Sequence, residues 1–196
     1  SFGGIASSLP TELIFLEIHG LYFTNKIDHF PTHLRRLYLN GSSYNHHIDN
    51  LPYTLTHLKL SHWFNQQVYN WPISLKYLEL GNYFSFPLIH LPETLICLKF
   101  GNLFNDSVDD LPPNLLYLEI GDNFNHTINK LPKTLKHLKL GSSFNKPVDN
   151  LPDSITNIQL GKEFNRKINN LPKSIQVIIF GENFRCSLNA LSHSVK

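Results

Sequence analysis

Charged residues alternate in sign at twenty-residue intervals through the middle of the chain. The series runs Lys59, Glu79, Lys99, Glu119 and Lys139. If the segments that carry them lie side by side as strands, each contact between opposite charges contributes about 0.2 to 1 kcal/mol. The series therefore predicts an electrostatic ladder that fixes the register of these segments, and the same ladder can also form the floor of a binding surface.

A second series precedes the first by two residues in each segment and is rich in tyrosine, histidine and arginine. Tyrosine and arginine are enriched at the centres of protein interfaces, although aromatic side chains also simply suit β-strands. We predict a protein-binding surface built from both series. Its candidate residues are Arg36, Tyr38, His57, Lys59, Tyr77, Glu79, Lys99, Tyr117, Glu119, His137, Lys139, Val177 and Ile179.

The last members of the two series, Val177 and Ile179, are apolar on a surface that is otherwise mostly polar. Exposed apolar side chains at the edge of a sheet favour association with another segment or chain. We expect a folded-back tail, a capping segment or a partner to cover them.

Other chemistry has little support in the sequence. The eleven histidines include the adjacent pair His46 and His47, but adjacent side chains on a coil edge diverge, and no cysteine or third histidine lies at the spacing of a metal site. No carboxylate pair, cysteine and histidine arrangement or phosphate-binding loop departs from the repeating pattern. We predict no metal, no cofactor and no enzymatic activity.

A repeat of twenty residues positions both series. A Leu-Pro pair recurs every twenty residues from residue 51 to residue 172, with Trp71 once in the place of the leucine. Two earlier units, 9–29 and 30–50, hold one extra residue each, His19 and Asn40, just before a glycine. Internal repeats of this length indicate a solenoid, in which each unit is one coil.

We predict a single solenoid domain over residues 1–196. It comprises a partial repeat at 1–8, nine repeats from 9 to 190 and a truncated repeat at 191–196. One repeat cannot bury enough apolar surface to fold alone, so its stability comes from packing on identical neighbours.

Each unit follows the skeleton L-P-x-[ST]-L-x-x-L-x-L-G-x-x-F-N-x-x-[IV]-x-N, whose letters we number as positions 1 to 20. Apolar residues occupy positions 1, 5, 8, 10, 14 and 18. The step of two from position 8 to position 10 is typical of a strand, whereas steps of three and four are typical of turns. Pro87 and Pro147 at position 17 oppose a helix in the remaining arc. We predict a mainly β solenoid with little or no helix, in which each coil adds one short strand to a parallel sheet.

Three further positions of the repeat predict how each coil turns and joins the next. Glycine fills position 11 in every repeat except the one with Ser61, which indicates either a positive φ or a close approach of the neighbouring coil. Ser or Thr at position 4 is expected to bond backbone groups in the turn. Asn at position 15 is expected to form an inward ladder that satisfies backbone groups of the loops.

The segment FNKPV at 144–148, which follows LPKTLKHLKLGSS, resembles the FNIP repeat, a leucine-rich-repeat variant of slime moulds and of giant viruses that infect amoebae. The similarity covers essentially the whole chain. It implies a leucine-rich-repeat-like solenoid that binds other proteins, in several family members behind an F-box that recruits a ubiquitin ligase. We therefore expect a substrate-recognition arm of an F-box type ubiquitin-ligase adaptor, with a ubiquitination target as its partner. The alternative is a structural or self-assembling solenoid whose open ends stack.

Charge and composition narrow the choice of partners. The formal net charge is only +2, so we expect no nucleic-acid partner, and no apolar run approaches 18 residues, so we expect no membrane segment. The two cysteines, Cys97 and Cys186, lie more than four repeats apart, which fits a reducing compartment. We expect a cytoplasmic protein, in the cytoplasm of the host cell if the chain is viral.

Overall fold

The computed structural model describes residues 9–41 and 43–188. The partial repeat predicted at 1–8 and the truncated repeat predicted at 191–196 lie outside these residues. Within them each repeat contributes one strand, and no segment is helical. The strands are β1 (Phe15–Glu17), β2 (Arg36–Tyr38), β3 (His57–Lys59), β4 (Tyr77–Glu79), β5 (Cys97–Lys99), β6 (Tyr117–Ile120), β7 (His137–Leu140), β8 (Asn157–Gln159) and β9 (Val177–Ile179).

The strands form one parallel sheet in the order of the sequence, from β1 to β9. Every strand residue pairs with the residue at the same repeat position in the next coil, so that Lys99 lies between Glu79 and Glu119. Because side chains alternate in direction along a strand, position 8 points into the core while positions 7 and 9 share the outer face. The predicted solenoid, mainly β with one short strand per coil, is confirmed.

The apolar positions of the repeat build the core. In the coil that contains β5, the buried side chains are Leu95, Leu98, Phe100, Phe104 and Val108. The phenylalanine at position 14 also stacks on its equivalents: neighbouring rings of Phe124, Phe144 and Phe164 are nearly parallel, with centroids 6.1 Å apart. Each coil therefore presents its neighbours with the same apolar surface, which is the condition for stacking many copies.

The glycine corner, which follows each strand at position 11, brings the backbones of consecutive coils very close together. A Cβ atom added at Gly121 would lie 2.1 Å from the carbonyl oxygen of Gly101 and 2.5 Å from its carbonyl carbon. The same conflict with the preceding coil would arise at Gly81, Gly101, Gly141, Gly161 and Gly181. Close approach of the preceding coil, rather than a positive φ, therefore requires glycine at these corners.

The two 21-residue coils have a different corner. Gly41, beside the inserted Asn40, has a φ of 61°, and a Cβ at Gly20 would meet nothing closer than the Cβ of Phe23 at 3.6 Å. Ser61 follows this altered coil and is fully buried. Its hydroxyl donates to the carbonyl oxygen of Tyr44 at 2.6 Å, so the exception to the glycine rule makes its own bond to the preceding coil.

Hydrogen bonds outside the sheet also join each coil to the one before it. At the corner, the backbone amide at position 13 donates to the carbonyl at position 12 of the preceding coil, as from Asn123 to Asn102 at 2.9 Å. In the turn that follows Leu-Pro, the hydroxyl at position 4 donates to the preceding turn, as from Thr134 to the carbonyl of Leu115 at 2.8 Å. The stacking is therefore hydrogen-bonded on several sides of the coil.

The predicted asparagine ladder forms, but on the outside. The side-chain oxygen of Asn105 accepts the backbone amide of Asn125 at 3.1 Å, and that of Asn125 accepts the amide of Asn145 at 3.0 Å. Asn105 and Asn125 are exposed, so the predicted inward direction is wrong. The adjacent phenylalanine at position 14 already fills the interior, and position 15 consequently faces outward.

Within residues 9–41 and 43–188, the protein offers no helix of the length and apolar character needed to cross a bilayer.

Replacing a corner glycine tests the close approach of the coils. We expect Gly121→Ala to lower the free energy of unfolding by about 1 to 3 kcal/mol, because the new methyl group would meet backbone of the preceding coil rather than a movable side chain. Urea denaturation followed by circular dichroism measures the change. The matched control is Gly20→Ala, where the nearest atom is 3.6 Å away and we expect a change within about 0.5 kcal/mol. Equal effects of the two substitutions would contradict the assignment.

Candidate protein-binding face

The side chains at positions 7 and 9 of the nine strands form one surface, which we call the sheet face. All thirteen candidate residues lie on it, and each is partly or wholly exposed. In-register pairing places them in two rows that run across the strands, with position 7 in one row and position 9 in the other. The structure thus brings together residues that the sequence spreads over more than 140 positions.

The charged row forms the predicted ladder. The ammonium of Lys59 lies 2.8 Å from Oε1 of Glu79, and the ammonium of Lys139 lies 2.6 Å from Oε1 of Glu119. The central Lys99 is farther from both carboxylates, at 3.9 Å from Glu79 and 4.0 Å from Glu119. The ladder is therefore tight at its two ends and loose in the middle.

The tyrosines of the other row donate hydrogen bonds to the carboxylates of the ladder. The hydroxyl of Tyr117 donates to Oε2 of Glu119 at 3.0 Å, and the hydroxyl of Tyr77 donates to Oε2 of Glu79. Each glutamate therefore holds a lysine on one oxygen and a tyrosine on the other. These bonds link the two rows, so that the sheet face presents fixed side chains rather than mobile ones.

Lys99 lies between the two tyrosine rings as well as between the two carboxylates. Its ammonium is 5.7 Å from the ring centroid of Tyr77 and 5.7 Å from that of Tyr117, which is within the range of a cation–π contact. Cys97 stands between the same two tyrosines in the position 7 row, and its side chain is smaller than theirs.

The environment shifts the pKa of both groups at the Tyr77 and Glu79 pair. Burial raises the pKa of Tyr77 above its ordinary value, and the hydrogen bond and negative charge of Glu79 raise it further. Burial acts to raise the pKa of Glu79 too, but the hydrogen bonds from Lys59 and Tyr77 and the charges of Lys59 and Lys99 outweigh it, so the net pKa is lowered. Glu79 is thus held as a carboxylate, and Tyr77 as a neutral hydrogen-bond donor, at neutral pH.

The Cys97 thiol on the sheet face does not have the electrostatics of a nucleophile. Burial raises the pKa of the Cys97 thiol to about 11, so that the thiol stays protonated at neutral pH. Across the part of the chain that the structure describes, no group of three or more His, Cys, Asp or Glu residues is placed to hold a metal ion. The arrangement presents fixed charges and aromatic surfaces.

Aromatic and cationic groups continue the sheet face toward β1. The Arg36 guanidinium carbon lies 4.9 Å from the Phe15 ring centroid, and the His57 ring stacks on Tyr77 at 5.9 Å. Burial lowers the pKa of His57, and the nearby positive charges of Arg36 and Lys76 lower it further. His57 therefore adds an aromatic surface rather than a charge at neutral pH.

The inserted residues of the first two coils pair with the first charged residue of the row. Asn40 donates to Oε1 of Glu17 at 2.6 Å, and Nε2 of His19 lies 3.1 Å from the same oxygen. Glu17 is thus held by the corner instead of by a lysine on the next strand, where Tyr38 occupies the equivalent position.

An apolar hollow lies at the other end of the sheet face. It has a volume of about 180 Å³, and its lining includes Tyr117, His137, Asn157, Val177 and Ile179. Val177 and Ile179 are 39% and 51% exposed, which leaves apolar surface available there. One signal for this hollow is present in the sequence, since Asn157 and Gln159 are uncharged and shorter than His137 and Lys139 on the preceding strand.

A second aromatic cluster lies outside the sheet face and was not among the predicted site residues. Trp63 stacks on Tyr83 with ring centroids 4.4 Å apart, and His62 contacts both rings edge-on. Trp63 and Tyr83 are 49% and 39% exposed. The signal in the sequence is the break in the repeat at Ser61, which is followed directly by these bulky residues.

Another hollow also lies away from the sheet face. It measures about 370 Å³ and is lined by turn residues that include Asp149, Asp153 and Lys173. Asp149 already accepts the backbone amide of Asn169 through its side chain. This hollow belongs to the turns that join coils, and it carries none of the predicted site residues.

The family model described as the FNIP repeat matches residues 104–143 and 144–183. These two adjacent segments each span two coils, from one phenylalanine of position 14 to the residue before another. No curated protein sequence matches the chain.

Two solved structures resemble the fold. CroV588, described as a novel circular leucine-rich-repeat protein, is 31% identical with a TM-score of 0.63, and the match covers 96% of this chain and 36% of that one. YopM from Yersinia enterocolitica is 18% identical with a TM-score of 0.52, covers 96% of this chain and 55% of that one, and shows a likeness of fold alone. The chain thus spans about a third of the length of CroV588 and about half that of YopM.

The ladder predicts a stability that depends on pH. At neutral pH we expect Glu79→Gln to lower the free energy of unfolding by about 1 to 3 kcal/mol, because it removes a carboxylate bonded to Lys59 and Tyr77. The folded-state pKa of Glu79 lies below its unfolded value of about 4.3, so its contribution is complete above that pH and is lost as the pH falls through the folded-state pKa.

Urea denaturation of the wild type and of Glu79→Gln from pH 7 to pH 3 measures this difference. We expect the difference in the free energy of unfolding between the two proteins to be constant down to about pH 5 and to shrink below about pH 4.3. Glu93→Gln, in an exposed turn, is the control and should match the wild type throughout. A gap that persists unchanged at pH 3 would contradict the role of the Glu79 carboxylate.

Proposed function

Because the chain belongs to the FNIP repeat family of leucine-rich-repeat-like solenoids, we propose that it is a protein-binding solenoid whose sheet face contacts the partner. The observation that carries this proposal is the organisation of that face. Two tyrosines, two glutamates and three lysines are joined there into one network, yet they remain accessible to a second protein.

Fixed side chains favour binding because less conformational entropy is lost when the partner arrives. Tyr77 and Tyr117 offer large rigid surfaces whose hydroxyls are already placed by Glu79 and Glu119. Arg36 adds a third residue of a type common among interface anchors. By contrast, the corner and the turns use their polar groups to join neighbouring coils.

We further propose that the partner is a ubiquitination target and that the solenoid is the recognition arm of an F-box type ubiquitin-ligase adaptor. The support for this step is the family likeness, since the residues themselves specify only a binding surface. Affinity capture with the natural full-length protein tests it. Co-purification of a ubiquitin-ligase core subunit would support the adaptor role, and its absence under conditions that retain the target would contradict it.

A reducing, cytoplasmic location is part of the same proposal. Cys97 and Cys186 are both free thiols and only partly exposed. Free thiols persist in reducing compartments, whereas secreted proteins usually pair them.

Self-assembly is a second candidate function, favoured by the C-terminal strand of the sheet. Within the described residues β9 pairs with β8 alone, and it exposes Val177 and Ile179. An open strand edge beside apolar side chains can add a strand from another copy.

Light scattering during size-exclusion chromatography separates the two functions. We expect a monomeric mass that does not change with protein concentration, as suits a binding arm. A mass that rises with concentration, and that returns to the monomer value in Ile179→Lys, would favour assembly instead.

Charge reversal on the sheet face tests the proposed binding surface directly. We expect Lys99→Glu to abolish capture of the partner proteins that bind the wild type and to lower the free energy of unfolding by about 1 kcal/mol, because it would bring a third carboxylate between Glu79 and Glu119. Lys133→Glu makes the same charge change in an exposed turn. It should still capture the partner proteins and should have the stability of the wild type. If Lys99→Glu leaves partners and stability unchanged, the sheet face is neither a ladder nor a binding surface.

A further inference from the structure

The sheet face contains one cation more than its carboxylates neutralise. Its two rows hold the four cations Arg36, Lys59, Lys99 and Lys139 and the three carboxylates Glu17, Glu79 and Glu119. The face is therefore positive at neutral pH, and electrostatic complementarity favours an acidic partner segment.

The bonding pattern shows where a partner's acidic group would bind. Both oxygens of each glutamate accept short contacts, from Lys59 and Tyr77 at Glu79 and from Lys139 and Tyr117 at Glu119. The glutamates are thus already engaged by the protein itself.

Lys99 has donor capacity left over. Its ammonium carries three N–H donors, and its contacts of 3.9 Å and 4.0 Å with the two carboxylates exceed hydrogen-bond length. The Lys99 side chain is 32% exposed, so a partner can reach it between the rings of Tyr77 and Tyr117. A carboxylate that entered there would accept a hydrogen bond from Lys99 and could lie along the edges of the tyrosine rings, which carry the positive end of the ring quadrupole.

The apolar hollow supplies a second anchor at a defined distance. It is centred near β8, three strands from β5, and its lining has no carboxylate. Strands in a sheet are about 4.8 Å apart, so the hollow lies roughly 14 Å from Lys99. An extended peptide advances about 3.3 to 3.6 Å per residue, and therefore covers that distance in about four residues.

We propose that the sheet face recognises an extended protein segment with an aspartate or glutamate about four residues from a bulky apolar residue. The segment crosses the strands, its carboxylate binds Lys99 between Tyr77 and Tyr117, and its apolar side chain fills the hollow at Val177 and Ile179. This inference rests on the proposed protein-binding function and names the chemistry of the partner.

A peptide selection tests the proposal. A random library of ten-residue peptides is displayed and selected on the wild-type protein, and the most enriched peptides are synthesised with a fluorophore for anisotropy titration. We expect the enriched sequences to share an acidic residue and a leucine, isoleucine or phenylalanine about four positions apart. A selection that enriches no sequence, or enriches sequences without an acidic residue, overturns the proposal.

Two substitutions on the protein and one on the peptide identify the contacts. We expect Lys99→Met to weaken binding at least about tenfold and Ile179→Ser to weaken it severalfold, while Lys133→Met in an exposed turn has no effect. Replacing the acidic residue of the peptide by its amide should weaken binding to the wild type by a similar factor, and should have little further effect on Lys99→Met. This peptide arm keeps the test decisive even if Lys99→Met fails to fold.

The outcomes separate the inference from the function on which it rests. If the peptides lose affinity on Tyr77→Ala or Tyr117→Ala but not on Lys99→Met, the sheet face binds protein and the acidic anchor is wrong. If no substitution on the sheet face changes their affinity, both proposals fail. A second copy of the chain as the occupant would appear as self-association that the selected peptides compete away, and this result would also overturn the inference.

Discussion

The close approach of consecutive backbones at the glycine corner is the constraint on which the rest of the structure depends. At Gly101 and Gly121, the space that a Cβ would need is filled by the carbonyl group of the coil before. This contact limits the spacing of the coils at the point where each strand ends. Once that spacing is set, the phenylalanines at position 14 can stack ring on ring, and the corner amides can reach the carbonyls of the preceding coil.

The geometry of the sheet face depends on the same spacing of the coils. Equivalent residues stand side by side because each coil repeats the one before it, and the two extra residues of the first coils are absorbed at the corner without changing the register of β1 to β3. A shift of one residue would turn the leucine of position 8 outward and the charged residue of position 9 into the core. The alternating charges therefore agree with a register that the core already specifies, which is the consistency between levels expected of a foldable sequence.

Much of the fold could be predicted from the sequence, because the same pattern of residues recurs in nine repeats. The strand, the six apolar positions and the pairing of Glu79 with lysines on both sides all follow from spacing alone. The direction of the asparagine ladder did not follow, since Asn105 and Asn125 satisfy backbone groups from the solvent side. The reason for the glycines remained open between φ and close approach, because both conditions select the same residue.

The parts of the sheet face that spacing could not predict depend on side-chain reach. The sequence does not indicate that the Tyr117 hydroxyl donates to Glu119, two residues later on the same strand. The loose position of Lys99 emerges only when Lys59 and Lys139 are seen to hold the outer carboxylate oxygens. The apolar hollow likewise needs four strands in place before it exists.

Amide hydrogen exchange by NMR tests the stacking constraint most directly. The residues Asn123, Ser143 and Glu163 are exposed, yet their amides donate to carbonyls of the preceding coil at 2.8 to 2.9 Å. If the corner sets the spacing of the coils, these amides exchange as slowly as those of the neighbouring strands, because both open only when the stack opens. Exchange at the rate of free turn amides, while the strand amides remain protected, would contradict the account.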